Sequence, residues 1–585
     1  MINLTINNTP ISVPAGTTVL AAAQMVNIHI PRLCYYEFPG QDKVNRIASC
    51  RVCVVEIEGR RNLAPACATL VSEGMIVKTN TPRAIKARRT MVKLLLSDHP
   101  DSCLSCAKNN DCDLQTLAAD LGIRERKYTG EKSTFQVDTS SFSLMKDPEK
   151  CIMCRRCEVM CNDIQTCNVL SAVGRGFEVV VSTAYHAPQI NTACTFCGQC
   201  VSVCPTGALT EVSYIQDVWD AINDTTKTVV VQTAPAVRVA LSEEIGLPDG
   251  QPITGKLVSA LRRLGFDKVF DTDFAADLTI MEEAHEIIER LKNKTNLPIL
   301  TSCCPGWINF IEYYYPDLLN IPSSCKSPQQ MFGAIAKSYY AKKIGVDPKN
   351  LVVVSVMPCL AKKYEANRPE FTNDNVQDVD FVISTRELIK MMKEAGLSLK
   401  DLPDEEYDNP LGESTGASVI FGASGGVLEA ALRTTYEWVS GKELKNLDFK
   451  QVRGLDGIKE ATIDIEGTKI NVAVASGLGN ARKILEKIKN KEADYHAIEI
   501  MACPGGCING GGQPYKHEQT NILQKRMEGI YSEDANKKIR KSHENPSIKK
   551  LYDEFLGKPG SEVSHHLLHT KYFRGGADTS SKRHK

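Results

Sequence analysis

The chain has 585 residues, 42% of them hydrophobic, with 70 basic and 70 acidic side chains and a formal net charge of zero. That length exceeds what one core supports and predicts about three to five domains. The balanced charge gives no electrostatic case for a nucleic-acid or polyanion partner, and no apolar run approaches the ~20 residues needed to span a bilayer. The N-terminus MINLTINNTPISVPAG lacks a basic segment followed by an apolar core, so the expected setting is cytoplasmic. The 22 cysteines lie mostly at two-residue intervals. In a reducing compartment that pattern favours metal ligation over a disulfide scaffold.

Residues 1–78 open with INLTIN, a turn at NNTP and ISVPAG, read as a hairpin, and then TTVLAAAQMVNI, read as a helix capped by Thr. The first cysteine group follows: Cys34, Cys50, Cys53 and Cys67. Hairpin, helix and cysteine-bearing loop resemble the plant-type [2Fe–2S] ferredoxin fold. The spacing departs from the plant pattern, because a long gap separates Cys34 from the CxxC at Cys50 and Cys53. The longer gap is similar to the ferredoxin-like domain of respiratory complex I and of iron hydrogenases. Zinc is the alternative for four spaced cysteines.

Residues 79–139 carry HPDSCLSCAKNNDC, which supplies His99, Cys103, Cys106 and Cys112. One imidazole with three thiolates suits structural zinc as well as a cluster. Beside its neighbours the group resembles the His-ligated [4Fe–4S] cluster of the same two families. Residues 140–215 hold two repeats of C-x₂-C-x₂-C-x₃-C: Cys151, Cys154, Cys157 and Cys161, then Cys194, Cys197, Cys200 and Cys204. This is the bacterial two-cluster ferredoxin run, in which the fourth cysteine of each motif ligates the other cluster. One cluster is therefore assigned Cys151, Cys154, Cys157 and Cys204, the other Cys194, Cys197, Cys200 and Cys161. The insert GRGFEVVVSTAYH between the repeats reads as an extra hairpin.

From about Thr228 the texture changes to alternating strand and helix, and residues 216–515 read as a two-lobed α/β domain. The runs TVVVQ, LPIL, LVVVSV and YHAIEI read as buried parallel strands, each with a Pro, Gly or Cys motif at its carboxyl end. That edge is where ligands bind in α/β sheets. Cys304, Cys359, Cys503 and Cys507 are thereby expected in one cleft. The segment TIMEEAHEIIERLKNK reads as a helix with Glu283 and Glu286 on one face.

TSCCPGW (301–307), MPCLAKKYE (357–365) and MACPGGC (501–507) match in order the three signature motifs of the [FeFe]-hydrogenases, and with the four N-terminal groups the resemblance covers roughly residues 1–515. The chain resembles in particular the catalytic subunit of multimeric NADP-reducing hydrogenases. The resemblance implies that Cys304, Cys359, Cys503 and Cys507 hold a [4Fe–4S] cluster. Cys507 would bridge it to a diiron subsite bearing carbonyl, cyanide and a dithiolate amine, the whole being the H-cluster. Lys362 would hydrogen-bond a cyanide, and Pro235, Gln329 and Met357 would line the pocket. Ala236 stands where relatives often carry serine, which puts one hydrogen bond to a cyanide in doubt. Cys303 would pass protons to the amine, joined in a relay by Glu283, Ser323 and Glu286. The implied cofactors are one [2Fe–2S] cluster, three [4Fe–4S] clusters and the H-cluster, and the substrates are H₂ and protons. The implied partners are a flavin/NAD(P)-binding diaphorase subunit, a thioredoxin-like [2Fe–2S] subunit and, in bifurcating assemblies, ferredoxin.

FGASGGVLEAALRT has a glycine turn opening a helix but lacks the Lys-Ser/Thr of a P-loop, so it reads as a packing turn. Cys167 and Cys325 read as buried free thiols, and His565 and His569 as a surface pair. Residues 516–573, with PSIKKLYDEFLG, resemble the helical small subunit of two-chain iron hydrogenases, here fused; residues 574–585 read as a disordered tail. Three rivals share parts of this pattern. An electron-relay subunit like that of complex I does not require the three signature motifs. A hydrogen sensor generally appends a signalling domain, and an iron–sulfur assembly protein lacks the full set of relay and pocket residues.

Overall fold

A computed structural model describes residues 1–38, 45–373, 375–516 and 521–576. At the N-terminus a five-stranded sheet runs in the order Thr9–Val13, Ile2–Ile6, Met75–Lys78, Val54–Ile57, Ala64–Pro65. The helix Val19–Met25 packs on it, with the Thr18 hydroxyl accepting from Ala21 N–H at 3.2 Å, so the hairpin, helix and Thr cap stand where the sequence places them. Cys53 and Cys67 belong to the core this sheet and helix enclose.

The helix Pro82–Asp98 starts with proline at its first turn, where the missing N–H costs nothing, and ends on His99, which it delivers to the second cysteine group. The ferredoxin repeats form two short helical turns, Arg156–Val159 and Gln199–Val203, tied by the antiparallel strands Leu144–Lys146 and Leu209–Glu211. The insert is a hairpin, Ser171–Val173 against Val180–Ser182.

Two four-stranded sheets build the large domain. The first runs Lys268–Asp271, Thr228–Thr233, Leu351–Met357, Phe381–Ser384, all parallel. Every residue of Leu351–Met357 is buried, as a strand covered on both faces requires. The second runs Ile299–Leu300, Ala497–Met501, Thr468–Ser476, Ile458–Ile465, with only the last strand antiparallel. The helix Thr272–Asn293 begins earlier than the TIMEEAHEIIERLKNK segment, because Asp271 caps it by accepting from Asp273 N–H at 3.1 Å. All of its residues from Thr272 to Ala284 are buried. The FGASGG turn is a packing device: Gly425 sits at φ +96, and a side chain there would strike the Val452 carbonyl. Among the described residues no helix is long and apolar enough to cross a membrane.

The C-terminal extension adds the helices Ile522–Asn536, Pro546–Leu551 and Glu562–Leu568. Its anchor is the buried Glu282 carboxylate, which accepts from the Tyr552 and Ser564 hydroxyls and, at 2.9 Å, from Gly560 N–H. At the start of the expected disordered tail, residues 574–576 are placed: Arg574 pairs with Asp317 at 3.5 Å and Gly575 N–H donates to Glu312 O at 2.9 Å. Residues 577–585 of that tail lie outside the described residues.

Glycines fix the region of the two cysteine repeats against the large domain. A Cβ on Gly511 would lie 2.6 to 2.7 Å from backbone atoms of Gly198 and Cys197. Gly511→Ala is expected to lower stability by about 1–3 kcal/mol through overpacking, read as a drop in melting temperature; an unchanged melting temperature would show that the two regions separate freely.

Candidate active site

The structure gathers the cysteine groups into separate nests. Cys34, Cys50, Cys53 and Cys67 are all buried. The Sγ atoms of Cys53 and Cys67 lie 3.4 Å apart, and Cys34 is in hydrogen-bond contact with Cys50 and Cys67. Those contacts hold the Cys34 thiol well below the ordinary range and push Cys67 well above it, as expected where one site must hold several thiolates.

His99 faces one cavity with Cys103, Cys106 and Cys112. Its Nδ1 lies 2.8 Å from Pro100 O, while Nε2 is buried with no partner among the described residues. A ring whose Nδ1–H is spent on a carbonyl presents the Nε2 lone pair, the arrangement of a metal-ligating histidine.

Cys151, Cys154, Cys157 and Cys204 line a second cavity, and Cys161, Cys194, Cys197 and Cys200 a third. Cys167, not foreseen in any group, also borders the third; it is buried, as is Cys325. Both repeats bend alike. Met153 and Arg155 in one, Phe196 and Gly198 in the other, hold left-handed φ, which turns backbone N–H groups inward: Met153 N–H donates to Cys151 Sγ and Phe196 N–H to Cys194 Sγ, each at 3.4 Å.

The nests adjoin one another. A Cβ on Gly207 would lie 2.6 Å from Cys106 Sγ, bringing the His99 cavity to the turn after Cys204. Cys34, Cys50, Cys112 and Cys154 contribute to one apolar cluster. Gln165 donates to Ala502 O at 2.7 Å and reaches Cys197 Sγ at 3.6 Å, so the third cavity abuts the loop carrying Cys503.

Cys304, Cys359, Cys503 and Cys507 converge at the carboxyl ends of the strands. Ile299–Leu300 and Ala497–Met501 are parallel neighbours, so the loops bearing Cys304 and Cys503 leave the same edge side by side. Ala502 N–H donates to Cys304 Sγ at 3.4 Å. Cys359 arrives from the other sheet, just after Leu351–Met357. Gly512 N–H donates to Pro358 O at 2.7 Å and locks the loop of Cys507 onto that of Cys359. Gly505 and Gly506 hold φ +82 and +97, which no larger residue would adopt easily in this turn. Burial pushes all four thiols up, Cys507 to about 12, and Cys503 is pushed further by Cys359, Cys304 and Cys507. Four sulfurs that raise one another's proton affinity are stable as thiolates only around a shared cation, which is the donor set of an iron–sulfur cluster.

Around them lie the other expected residues. Pro235 and Ala236 open the helix after Thr228–Thr233, and Met357 ends its strand; all three are buried. The Lys362 ammonium donates to Glu365 at 2.9 and 3.1 Å and to Cys303 O at 3.1 Å. Gln329 donates to Lys362 O at 3.2 Å and to Glu365 at 3.0 Å. Gln513 donates to Ala236 O at 2.8 Å. Among the described residues the Oε1 atoms of Gln329 and Gln513 are buried without partners. Sequence reasoning missed Glu365 and Gln513; only the i,i+3 spacing of Lys362 and Glu365 hinted at the former.

Cys303 neighbours Glu283, Cys304, Cys507 and Lys362; burial first, then Glu283, pushes its thiol well up. Glu283 has no hydrogen-bond partner on either oxygen among the described residues, though Ser302 and Ser323 lie close. Burial, and then Glu286, raises it to about 8. It is thus a neutral acid at pH 7. Ser323 donates to Glu286 at 2.7 Å, and Arg290 pins the same carboxylate at 2.6 Å.

Known proteins share this organisation. Residues 227–511 match the family described as iron only hydrogenase large subunit, C-terminal domain, and residues 520–574 the iron hydrogenase small subunit. Residues 1–82 match a 2Fe-2S iron-sulfur cluster binding domain, residues 88–127 the NADH-ubiquinone oxidoreductase-G iron-sulfur binding region, and residues 188–210 a 4Fe-4S binding domain. The NADP-reducing hydrogenase subunit HndD of Solidesulfovibrio fructosivorans is 57% identical over 98% of this chain and 99% of its own length. Iron hydrogenase 1 of Clostridium pasteurianum is 41% identical over 98% of this chain and 100% of its own. A single-residue variant of the apo [FeFe]-hydrogenase HydA1 from Chlamydomonas reinhardtii superposes with a TM-score of 0.57 at 46% identity, covering 63% of this chain and 100% of that one.

The nests lead to two expected outcomes. Cys204→Ser is expected to change the paramagnetic signal of the cluster at Cys151, Cys154 and Cys157 and spare the one at Cys194, Cys197 and Cys200; the reverse pattern would refute the shared cavity. The Glu283 carboxyl band in infrared spectra should persist at neutral pH and vanish as pH rises through about 8, whereas a carboxylate already ionised near pH 5 would contradict the burial.

Proposed function

Because the chain belongs to the iron-only hydrogenase family, we propose that it is the hydrogen-converting subunit of an NADP-linked complex, catalysing 2H⁺ + 2e⁻ ⇌ H₂. The observation that carries this is the convergence of Cys304, Cys359, Cys503 and Cys507 beside an additional thiol, Cys303, that none of the four needs. The family's cofactor, an H-cluster, supplies the redox-active metal on which hydrogen is made or split. Cys304, Cys359, Cys503 and Cys507 would hold it, and the buried Oε1 atoms of Gln329 and Gln513, without partners among the described residues, leave polar demand unmet.

The chain's own residues then divide the labour. Lys362, buried and ion-paired to Glu365, keeps a positive charge beside the thiolates. Pro235, Ala236 and Met357 exclude water. Cys303 gives or takes the proton at the reacting centre, and Glu283, neutral below about pH 8, exchanges it with Ser323 and Glu286. As pH rises through about 8, Glu283 loses its proton, so proton reduction should fall on that limb.

Electrons are proposed to travel through one [2Fe–2S] cluster at Cys34, Cys50, Cys53 and Cys67, and three [4Fe–4S] clusters: one at His99, Cys103, Cys106 and Cys112, and two at the ferredoxin repeats. The two cysteine groups nearest the N-terminus adjoin the cluster site of Cys154 and Cys204, which offers two entrances to one path. The similarity to a subunit of an NADP-reducing hydrogenase, HndD, supports partner subunits; those proposed are a flavin/NAD(P)-binding diaphorase, a thioredoxin-like [2Fe–2S] protein and, where electrons bifurcate, ferredoxin. A reducing, cytoplasmic setting accords with 22 cysteines that are all free of disulfides.

Infrared spectra of the anaerobically matured protein test this reading. Cys303→Ala should keep the metal-bound carbonyl and cyanide bands while turnover falls by about 10²-fold or more, the scale of a lost general acid–base group. Turnover at the parent rate would remove Cys303 from the proton path.

A further inference from the structure

The C-terminal extension closes over the outer end of the relay. Lys326 N–H donates to Leu568 O at 2.7 Å, and Thr570 N–H to Ser324 O at 2.8 Å. Cys325 and His569 form an antiparallel bridge between these two segments, and the Tyr572 hydroxyl donates to Ser323 O. His569 is therefore not the surface residue its sequence context suggests: its side chain is 7% exposed.

Each ring nitrogen of His569 faces an oxygen. Nδ1 lies 2.8 Å from Ser324 Oγ, and Nε2 lies 3.2 Å from Glu282 Oε2. Ser324 in turn donates twice to Glu286, its N–H to Oε2 at 3.2 Å and its hydroxyl to Oε1 at 3.4 Å. A hydrogen-bonded line, Glu286–Ser324–His569–Glu282, thus runs from the relay into the extension. The exposed ring of His565 stacks on His569 with centroids 4.8 Å apart and planes 9° apart.

We propose that Glu286 exchanges protons with solvent through His569, with the Ser324 hydroxyl as the bridge and Glu282 as the counter-ion. The proposal rests on the relay reading given above. In the outward direction the Glu286 O–H bond breaks and its proton passes to Ser324 Oγ. The Ser324 hydroxyl, turned from Glu286 toward His569, gives its own proton to Nδ1. No electrons move; a carboxylate and an imidazolium result, and a turn of the ring away from Ser324 carries Nδ1–H to the exposed edge beside His565, where its proton passes to water. Proton reduction runs the same steps in reverse. Imidazole suits the task because its ordinary pKa lies nearest neutrality.

The groups that face this line are consistent with it. Glu282 is held by Tyr552, Ser564 and Gly560, so it stays fixed as the imidazolium's partner. Arg290 cannot relay, since a guanidinium does not give up its proton; it anchors Glu286. Cys325 Sγ lies 3.9 Å from Glu286 Oε2, and His285 packs against Gly560. The competing route is direct, because the Glu286 side chain is itself 15% exposed.

The test uses matured holoenzyme carrying His569→Gln, which keeps side-chain hydrogen bonding but cannot titrate, beside Glu286→Gln. His569→Gln is expected to slow turnover about tenfold or more with unchanged carbonyl and cyanide infrared bands. Its pH profile should lose one titration step, and added imidazole should restore most of the rate. Glu286→Gln should be inactive and not rescued. If His569→Gln runs at the parent rate at every pH while Glu286→Gln is inactive, Glu286 exchanges directly with solvent and the proposal falls, though the relay stands. A slow His569→Gln with an unaltered pH profile and no imidazole rescue would show a merely structural role and overturn it equally. If Glu286→Gln also turns over normally, the relay reading itself fails.

Discussion

Four buried thiols in one cleft are the constraint on which the rest of this structure depends. Burial alone drives Cys304, Cys359, Cys503 and Cys507 toward the protonated state, and their mutual repulsion adds to it. The fold nevertheless spends its least adaptable features on bringing them together. Cys304, Cys503 and Cys507 follow adjacent parallel strands of one sheet and Cys359 follows a strand of the other, and Gly505, Gly506, Gly510 and Gly512 give the backbone room where the loops meet. Such an arrangement is costly in an empty chain and favourable once a cluster supplies the missing positive charge.

The same logic orders the surroundings. Protons need titratable groups that change charge without a large penalty, and Glu283, isolated from hydrogen-bond partners among the described residues, is kept neutral near pH 7. Electrons need short distances and no titration, and the cysteine nests supply them by abutting one another across glycines and apolar side chains. The two traffics are separated in space. The ferredoxin region meets the active-site loops at Gln165, Cys197 and Ala502, whereas the carboxylates lie on the Thr272–Asn293 helix beside the C-terminal extension.

Much of this was legible in the sequence because cluster chemistry is written locally. A C-x₂-C-x₂-C-x₃-C run states its ligands within about a dozen consecutive positions, and the strand-end motifs state theirs through α/β topology. What stayed hidden depends on packing between distant segments. Glu365 matters only because Lys362 and Gln329 both turn toward it, and Gln513 because it folds back onto the Ala236 carbonyl. His569 looked like half of a surface pair, since nothing in SHHLLHT tells that its backbone will pair with Cys325 and bury the ring between Ser324 and Glu282. The tail likewise reads as disordered by composition, yet its first residues reach Glu312 and Asp317.

The central claim is that one iron–sulfur centre is shared by four cysteines from two sheets while a fifth thiol beside it stays unligated. Anomalous diffraction at the iron edge from crystals of the matured protein tests it most directly. The account predicts iron bonded to Cys304, Cys359, Cys503 and Cys507, with the Cys303 sulfur free. Iron bonded to Cys303, or any of those four sulfurs left without iron, would contradict it.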